Sequence, residues 1–362
     1  MGGEPAGRDA ERRDSRAPAR PAMRRTERPV YGAIDLGTHN CRMLMATPTD
    51  GGLRVVGSFS RIVRLGEDLA ATGRLAEEAI ARALDALRVC ARKMRNAGAR
   101  RVQGVATEAC RRAENCEEFL ESVHRRTGLR LEAISDREEA ELTLAGCGPL
   151  LDTSRRRAIV FDIGGGSTEI MWIAPQEGDR PTIIDSTSIP VGVVTLAENC
   201  AGDARATAHY SRYIAGVESD LGAFCARYGI ADAVANEHVG MLGTSGTVTT
   251  LGAFHLGLGR YDRSRVNGID VAFDRIRALT TELAAMGLAA RAAHPCIGRQ
   301  RADLVVAGCA ILEAICGRWP VGSLRVADRG IREGLLLRMM DHDGFASSRR
   351  ALNGGTLAPP SG

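Results

Sequence analysis

The sequence VYGAIDLGTHNCRMLMAT, residues 30–47, shares its pattern with AIVFDIGGGSTEIMWI, residues 158–173. In each stretch a β-rich run ends in an aspartate, Asp35 or Asp162, and a turn of glycine and small polar residues leads into a second β-rich run. Because glycine has no Cβ, such a turn can bring backbone N–H groups close to an anion. The neighbouring carboxylate suits the divalent cation that accompanies phosphates. The repeat therefore predicts two related lobes that hold one phosphorylated ligand between them.

The sequence LGTSGTV, residues 242–248, adds a third candidate phosphate-binding turn. It follows a predicted strand and opens a predicted helix, so its N–H groups and the helix dipole would favour an anion. Taken alone, the segment would be interpreted as an ordinary strand-to-helix turn, but beside the two glycine hairpins we favour phosphate binding. The candidate phosphate-binding residues of the three turns are Asp35, Gly37, Thr38, His39, Asn40, Gly164, Gly165, Gly166, Ser167, Gly243, Thr244, Ser245, Gly246 and Thr247.

Length and composition limit the class of protein. A chain of 362 residues with 44% apolar residues can bury the cores of two domains. No apolar run approaches the roughly 18 residues of a membrane span, and no secretory signal precedes the first strand. The ten cysteines are scattered without a CxxC pair, which favours reduced thiols and a cytoplasmic protein. A net charge of +4 and the lack of any nucleic-acid-binding pattern argue against DNA as a partner.

The order of predicted elements gives the domain organisation. A βββαβα unit occurs twice, which is the plan of the actin-like ATPase superfamily. Apolar spacing within the first unit predicts a helix over 75–96, with Thr72 as its N-cap and Gly98 as its stop. The predicted parts are a disordered segment 1–29, lobe I at 30–150, lobe II at 151–328, a helix 329–342 that joins lobe I, and a disordered tail 343–362. Translation from Met1 or from Met23 is left open.

The segment SDREEAEL, residues 135–142, contains a candidate catalytic base. Ser135 and Glu138 have the spacing of a capping box at a helix start, which leaves Glu139 without a structural explanation. In a cleft between the lobes, Glu139 could accept a proton from an attacking water. A solvated surface acid is the alternative explanation.

The segment GVATEACRRAEN, residues 104–115, contains a candidate phosphate ligand. A predicted strand ends at Thr107, so Arg111 would follow on a short turn or helix. Its guanidinium could bind a phosphate through two parallel hydrogen bonds. The alternative is a surface arginine, and that is the interpretation we adopt for Arg112.

Taken together, the motifs IDLGTHNCR, ATEACRRAEN, SDREEA, FDIGGGSTE, LGTSGTV and VADRGIREGLL resemble the exopolyphosphatase/guanosine pentaphosphate phosphohydrolase (Ppx/GppA) family. The resemblance runs from Val30 to Met340 and is strongest to the short, two-domain bacterial branch. It implies a duplicated α/β fold of the actin-like (ribonuclease H-like, ASKHA) type with a cleft between the lobes. It also implies Mg²⁺-dependent hydrolysis of the terminal phosphate of inorganic polyphosphate, or of guanosine pentaphosphate (pppGpp) at its 5′ end. The same resemblance implies that Glu139 and Arg111 are catalytic residues and that Asp162 and Glu139 bind the metal.

The chain departs from the family pattern at three positions. His39 stands where the family has asparagine, Asp136 replaces a glycine, and Glu141 replaces an arginine. The two acidic residues are expected to add negative charge near Glu139. The sequence shows no Ser/His/Asp or Cys/His constellation, which favours direct attack by water over a covalent intermediate. Two rivals stay open: a pppGpp phosphohydrolase, and an actin-like module that binds a nucleotide or polyphosphate without hydrolysis. A homodimer is also left open.

Overall fold

A computed structural model describes residues 28–176, 181–198, 210–236 and 238–345. Most of the predicted disordered segments 1–29 and 343–362 lies outside the described residues. Within the described part of the C-terminal segment, Asp343 accepts a hydrogen bond from the hydroxyl of Tyr31 at 2.8 Å.

Two mixed β-sheets form the framework. Their strands are β1 (Val30–Leu36), β2 (Asn40–Thr49), β3 (Gly52–Ile62), β4 (Ala99–Ala106), β5 (Leu131–Ala133), β6 (Arg157–Ile163), β7 (Thr168–Ala174), β8 (Thr182–Ile189), β9 (Val239–Thr244), β10 (Asp270–Ala272) and β11 (Ser323–Ala327). In the first sheet, β1 pairs antiparallel with β2 and parallel with β4, and the strand order is β3-β2-β1-β4-β5. In the second, β6 pairs antiparallel with β7 and parallel with β9, and the order is β10-β11-β9-β6-β7-β8.

The second sheet repeats the first. If β10 is set aside as an added antiparallel edge strand, the remaining order β8-β7-β6-β9-β11 matches β3-β2-β1-β4-β5 position by position. The antiparallel and parallel pairings also match, since β11 runs parallel to β9 as β5 does to β4. This duplicated α/β topology is that of the actin-like fold, so the predicted fold class is confirmed.

Helices cover both sheets. They are α1 (Leu69–Thr72), α2 (Glu77–Asn96), α3 (Glu108–Arg112), α4 (Cys116–Thr127), α5 (Asp136–Cys147), α6 (Val193–Glu198), α7 (Tyr210–Arg227), α8 (Ile230–Asn236), α9 (Gly246–His255), α10 (Arg263–Val266), α11 (Phe273–Ala285), α12 (Leu288–Ala293), α13 (Val305–Arg318) and α14 (Ile331–His342). No helix in the described ranges is both long enough and apolar enough to cross a membrane. The nine cysteines within these ranges are buried and free.

Helix α2 begins later than its apolar spacing predicts. Thr72 ends α1 and does not cap α2, whose N-cap is Ala76. The side-chain amide of Asn115 explains the delay, because it bonds both the N–H and the C=O of Leu75, at 2.8 and 3.1 Å. These two bonds hold the chain extended before the helix can start. The predicted end of α2 agrees with the structure, because Gly98 lies just beyond the last turn and has a φ of 61°.

Helix α5 lies between the two sheets and packs tightly on α14. Its Leu142 belongs to the apolar cluster under the first sheet, and its Leu144 belongs to the cluster under the second. A Cβ on Gly334 of α14 would overlap the carbonyl oxygen of Leu142, so only glycine allows this approach. The packing fixes the position of the first turn of α5, which carries Glu139.

Candidate active site

The β1–β2 turn and the β6–β7 turn are closed in the same way. The Gly37 N–H donates to the carbonyl oxygen of Asn40 at 2.9 Å, and the Gly164 N–H donates to that of Ser167, also at 2.9 Å. The repeat seen in the sequence is therefore a repeat of local backbone structure as well.

The two turns also lie against each other. A Cβ on Gly165 would lie 3.1 Å from the Cβ of His39, and a Cβ on Gly166 would lie 2.7 Å from Oγ1 of Thr38. The glycines of the second turn are therefore required by the close approach of the first. The predicted cleft between the lobes exists, and both turns open onto it.

A cavity occupies this cleft, and its empty space, counted out to open solvent, is about 980 Å³. Of the predicted site residues, it is lined by Asp35, Gly37, Thr38, His39, Asn40, Glu139, Asp162, Gly164, Gly165, Gly166, Ser167, Ser245, Gly246 and Thr247. The sequence therefore identified most of one continuous surface. The lining also includes Arg42, Glu108, Glu169 and Arg301, which the sequence did not single out.

Buried polar atoms on the first turn point to a ligand. Within the described residues, Oγ1 of Thr38 and both ring nitrogens of His39 are buried without a hydrogen-bond partner. Leaving such atoms unpaired costs about 1–3 kcal/mol each. An anion bound in the cavity could supply the missing partners.

The third turn contributes only in part. The Ser245 hydroxyl accepts hydrogen bonds from the N–H groups of Thr247 and Val248, at 3.2 and 3.3 Å, so the cap itself uses N–H groups that were predicted to face a phosphate. Gly243 does not belong to the cavity lining. A Cβ at Gly243 would lie 2.5 Å from Cζ of Phe161, so this glycine serves core packing.

Glu139 lies on the first turn of α5 and is 7% exposed. As predicted, Ser135 caps the helix, accepting from the Glu138 N–H at 3.2 Å. The Glu138 carboxylate pairs with Arg338 at 2.8 Å. Glu139 is thus not the surface acid of the alternative explanation, because it is buried at the cavity.

Arg111 holds Glu139 in place. Its Nη1 donates to Oε2 of Glu139 at 2.6 Å and to the carbonyl oxygen of Ile134 at 3.1 Å. Its Nη2 contacts Asp136 at 2.7 Å and Glu108 at 3.1 Å. Arg111 is therefore surrounded by carboxylates and is absent from the cavity lining, so it is not placed to contact a phosphate directly.

The hairpin register links two cavity residues that the sequence reasoning missed. Arg42 lies directly across from Asp35 in the first hairpin, and Glu169 lies directly across from Asp162 in the second. Each follows its aspartate by seven residues. Each lies two residues beyond the last predicted turn residue, Asn40 or Ser167, so extending the candidate set two residues into the second strand would have found both. Glu169 is 3% exposed and accepts a hydrogen bond from the Ser188 hydroxyl at 3.1 Å.

The buried carboxylates of the cavity raise one another's pKa. Burial raises the pKa of Asp162 to about 6, and burial together with the charge of Asp162 raises the pKa of Glu169 to about 7. Burial, with the charge of Glu169, also raises the pKa of Glu139 well above its usual range, although Arg111 opposes this. A carboxylate with a raised pKa is a stronger base once ionised, which suits Glu139 to proton abstraction.

The carboxylates fit a divalent cation bound together with phosphate. Among the described residues, no group of three or more His, Cys, Asp or Glu side chains is placed to hold a metal ion by itself. Mg²⁺ does not need one, since it commonly uses one or two carboxylates and takes its other ligands from phosphate and water. The mutual repulsion of Glu139, Asp162 and Glu169 is what such a cation would relieve.

A second, arginine-lined cavity adjoins the first and shares Asp35, Arg42, Asp162 and Arg301 with it. Its empty space, counted out to open solvent, is about 1430 Å³. The loop before α13 and the chain around the start of α14 supply the additional arginines Arg299, Arg329 and Arg332. Nε of Arg329 is buried without a hydrogen-bond partner among the described residues. This cavity suits a further stretch of a polyanion.

The family model described as "Ppx/GppA phosphatase family" matches residues 44–343. The chain belongs to this family. The Exopolyphosphatase 2 of Mycobacterium tuberculosis is 30% identical over 324 residues, which cover 85% of this chain and 97% of the relative. The guanosine-5′-triphosphate,3′-diphosphate pyrophosphatase of Aeromonas salmonicida is 29% identical over 331 residues, covering 89% of this chain but 62% of the relative. The chain thus spans less than two thirds of the Aeromonas protein.

Solved structures agree with this assignment. The Ppx/GppA family member of Aquifex aeolicus superposes with a TM-score of 0.70 at 27% identity, covering 87% of this chain and 98% of its own. An exopolyphosphatase-like protein superposes with a TM-score of 0.76 at 27% identity, covering 86% and 99%.

The two acidic departures from the family pattern behave differently. Asp136 forms an ion pair with Arg111 and so adds negative charge beside Glu139, as expected. Glu141 instead pairs with Arg137 at 3.0 Å and lies outside the cavity lining. The expectation that Glu141 would add charge at the base is therefore wrong, because a position two residues along a helix points to a different side.

Proposed function

We propose that the chain is a Mg²⁺-dependent exopolyphosphatase, which hydrolyses the terminal phosphate of inorganic polyphosphate. The observation that carries this proposal is a buried carboxylate, Glu139, held by Arg111 at 2.6 Å on the wall of a cavity lined by two glycine turns. The turns would bind the phosphate and the carboxylate would activate water beside it. The name of the Mycobacterium relative, which the chain matches over nearly its full length, supports the same activity. A cytoplasmic location, resting on the scattered cysteines of the sequence, is part of the proposal.

In the proposed reaction, N–H groups of the two turns bind oxygens of the terminal phosphate. Arg42 and Arg301, which line the cavity, neutralise charge that would otherwise repel the water nucleophile. Glu139 accepts a proton from the water as its oxygen attacks the terminal phosphorus, and the P–O bond to the bridging oxygen breaks. The bridging oxygen leaves with the polyphosphate chain, which is shortened by one phosphate, and inorganic phosphate is released. Arg111 acts as a positioning residue, because its hydrogen bonds orient Glu139.

Mg²⁺, when bound, would neutralise phosphate oxygens and help to orient them. Asp162 and Glu139 are the residues that would hold it, together with oxygens of the substrate. The turn residues would still make the direct contacts to the terminal phosphate.

The second cavity favours polyphosphate over a nucleotide. Its charged lining includes Arg299, Arg329 and Arg332, so it can neutralise phosphates that precede the terminal one. Hydrolysis of pppGpp remains the alternative, because the Aeromonas relative carries the name of that activity. The two substrates share the terminal phosphate and differ in what fills the second cavity.

Phosphate release tests the proposal. Purified protein with Mg²⁺ would be assayed against long-chain polyphosphate, tripolyphosphate, pppGpp and ATP. We expect the highest kcat/KM with polyphosphate. A higher kcat/KM with pppGpp would establish the alternative activity. Binding of a nucleotide or polyphosphate without any phosphate release would instead identify an actin-like binding module that does not hydrolyse its ligand.

A further inference from the structure

His39 is a buried imidazole whose hydrogen-bonding capacity is unused. The residue is 6% exposed and lines the catalytic cavity. Neither Nδ1 nor Nε2 has a hydrogen-bond partner within the part of the chain that the structure describes. The backbone is well fixed, because the His39 carbonyl oxygen accepts from the N–H groups of Val63 and Arg64, at 2.9 and 3.0 Å. Both ring nitrogens are therefore available to bond a molecule that enters the cavity.

The charges around His39 indicate that this molecule is an anion. Burial lowers the pKa of His39 to about 4, and the positive charges of Arg64, Arg42 and Arg301 contribute in the same direction. At neutral pH the ring is therefore uncharged. A bound oligophosphate would reverse the sign of the local field and favour the protonated ring.

We propose that His39 is a proton-linked phosphate ligand: its imidazole contacts a phosphate oxygen of the substrate and takes up one proton from solvent when the substrate binds. This inference rests on the proposed function, since it concerns how the same cavity holds its polyanion. It makes substrate affinity increase as the pH falls. Glycine N–H groups, whose charge does not change with pH, cannot produce this dependence.

Other titratable groups face the same cavity and must be separated from His39. They are the carboxylates of Asp35, Glu108, Glu139, Asp162 and Glu169, and the cationic side chains that face the ring are Arg42, Arg64 and Arg301. The variant His39→Asn keeps a hydrogen-bonding side chain but has no titratable ring. Because the carboxylates are present in both proteins, their effects cancel when the two are compared.

The first experiment measures KM and kcat for tripolyphosphate from pH 8 to pH 5.5 in wild type and in His39→Asn. We expect the ratio of the variant KM to the wild-type KM to rise as the pH falls, by up to about tenfold per pH unit. The ratio of kcat values should change much less, because His39 is not the base. His39→Gln serves as a second variant.

The second experiment follows the ring nitrogens of ¹⁵N-histidine-labelled wild-type protein by NMR, with and without tripolyphosphate. The expected result is a His39 titration midpoint near 4 in the free protein that moves up by about two to three pH units in the complex, into the range over which the KM ratio is measured. An unmoved midpoint, or a KM ratio that does not vary with pH, would overturn the role of His39. If the wild type released no phosphate from any polyphosphate, the proposed function itself would fail, and the role of His39 with it.

Discussion

Replacing Glu139 with glutamine removes the proposed base while preserving its shape and its contact with Arg111. The guanidinium of Arg111 keeps the ion pairs with Glu108 and Asp136, at 3.1 and 2.7 Å, so the local structure should survive. Glutamine is uncharged and removes one negative charge from a cavity that must accept a polyanion. Asp162 remains to hold Mg²⁺, so at saturating Mg²⁺ substrate binding should be kept or strengthened while hydrolysis is lost.

The expected size of the loss follows from the role of the residue. A positioned general base contributes about 10²–10⁴ in rate, which corresponds to about 3–5 kcal/mol of transition-state stabilisation. We therefore expect kcat for polyphosphate to fall at least a hundredfold, with KM unchanged or lower. The matched control is Glu141→Gln, since this residue lies on the same helix but pairs with Arg137 outside the cavity.

The assay is release of inorganic phosphate under saturating polyphosphate and Mg²⁺, with binding measured separately by calorimetry. Glu141→Gln should retain the wild-type rate. If Glu139→Gln also turned over at the wild-type rate, Glu139 would not be the base. If both binding and turnover were lost, its role would be in holding the site together.

Three further predictions concern the metal, the buried carboxylates and the helix contact. Asp162→Asn should raise the Mg²⁺ concentration needed for half-maximal activity and lower the maximal rate; an unchanged metal titration would remove Asp162 from the site. Because the pKa of Glu169 is raised to about 7, the metal-free folded protein binds more protons than the unfolded chain between about pH 4.5 and 7. The free energy of unfolding of the metal-free protein should therefore fall as the pH rises through this window, by at most about 3 kcal/mol from this group. Measured by chemical denaturation, this decrease with pH should be smaller in Glu169→Gln. An equal decrease in both proteins would contradict the prediction. Gly334→Ala should destabilise the fold by about 1–3 kcal/mol, because the added Cβ would clash with Leu142. The control is Gly216→Ala on the exposed face of α7, which should not destabilise the fold because no atom lies within 4 Å of the added Cβ. Thermal melting of the two variants tests this difference.

The fold could be predicted because its signals are local. Each hairpin places its aspartate, its glycine turn and its two strands within at most twenty consecutive residues, so one short pattern shows both strands and their connection. The same pattern occurring twice then requires the duplicated sheet order. The prediction that Thr72 caps α2 was wrong because the start of this helix does not depend on local sequence alone. Asn115, from a distant part of the chain, fixes the residue before it.

The candidate site could be predicted only in part, for the same reason. Residues on the turns were found, whereas the partners of Arg111 and the arginines of the second cavity come together only in three dimensions. Gly243 shows the opposite error: its place in a glycine-containing turn suggested phosphate binding, but its neighbour Phe161 makes it a packing residue. A glycine pattern cannot distinguish space for a ligand from space for a side chain.

A crystal structure of the Glu139→Gln variant with Mg²⁺ and tripolyphosphate would show directly whether the two turns share one substrate. We expect one terminal phosphorus between the turns Gly37–Asn40 and Gly164–Ser167, with a water in line for attack beside the substituted side chain at position 139. The rest of the tripolyphosphate should extend towards Arg329. A tripolyphosphate bound outside the cleft, or contacting only one of the two turns, would contradict the proposed mechanism.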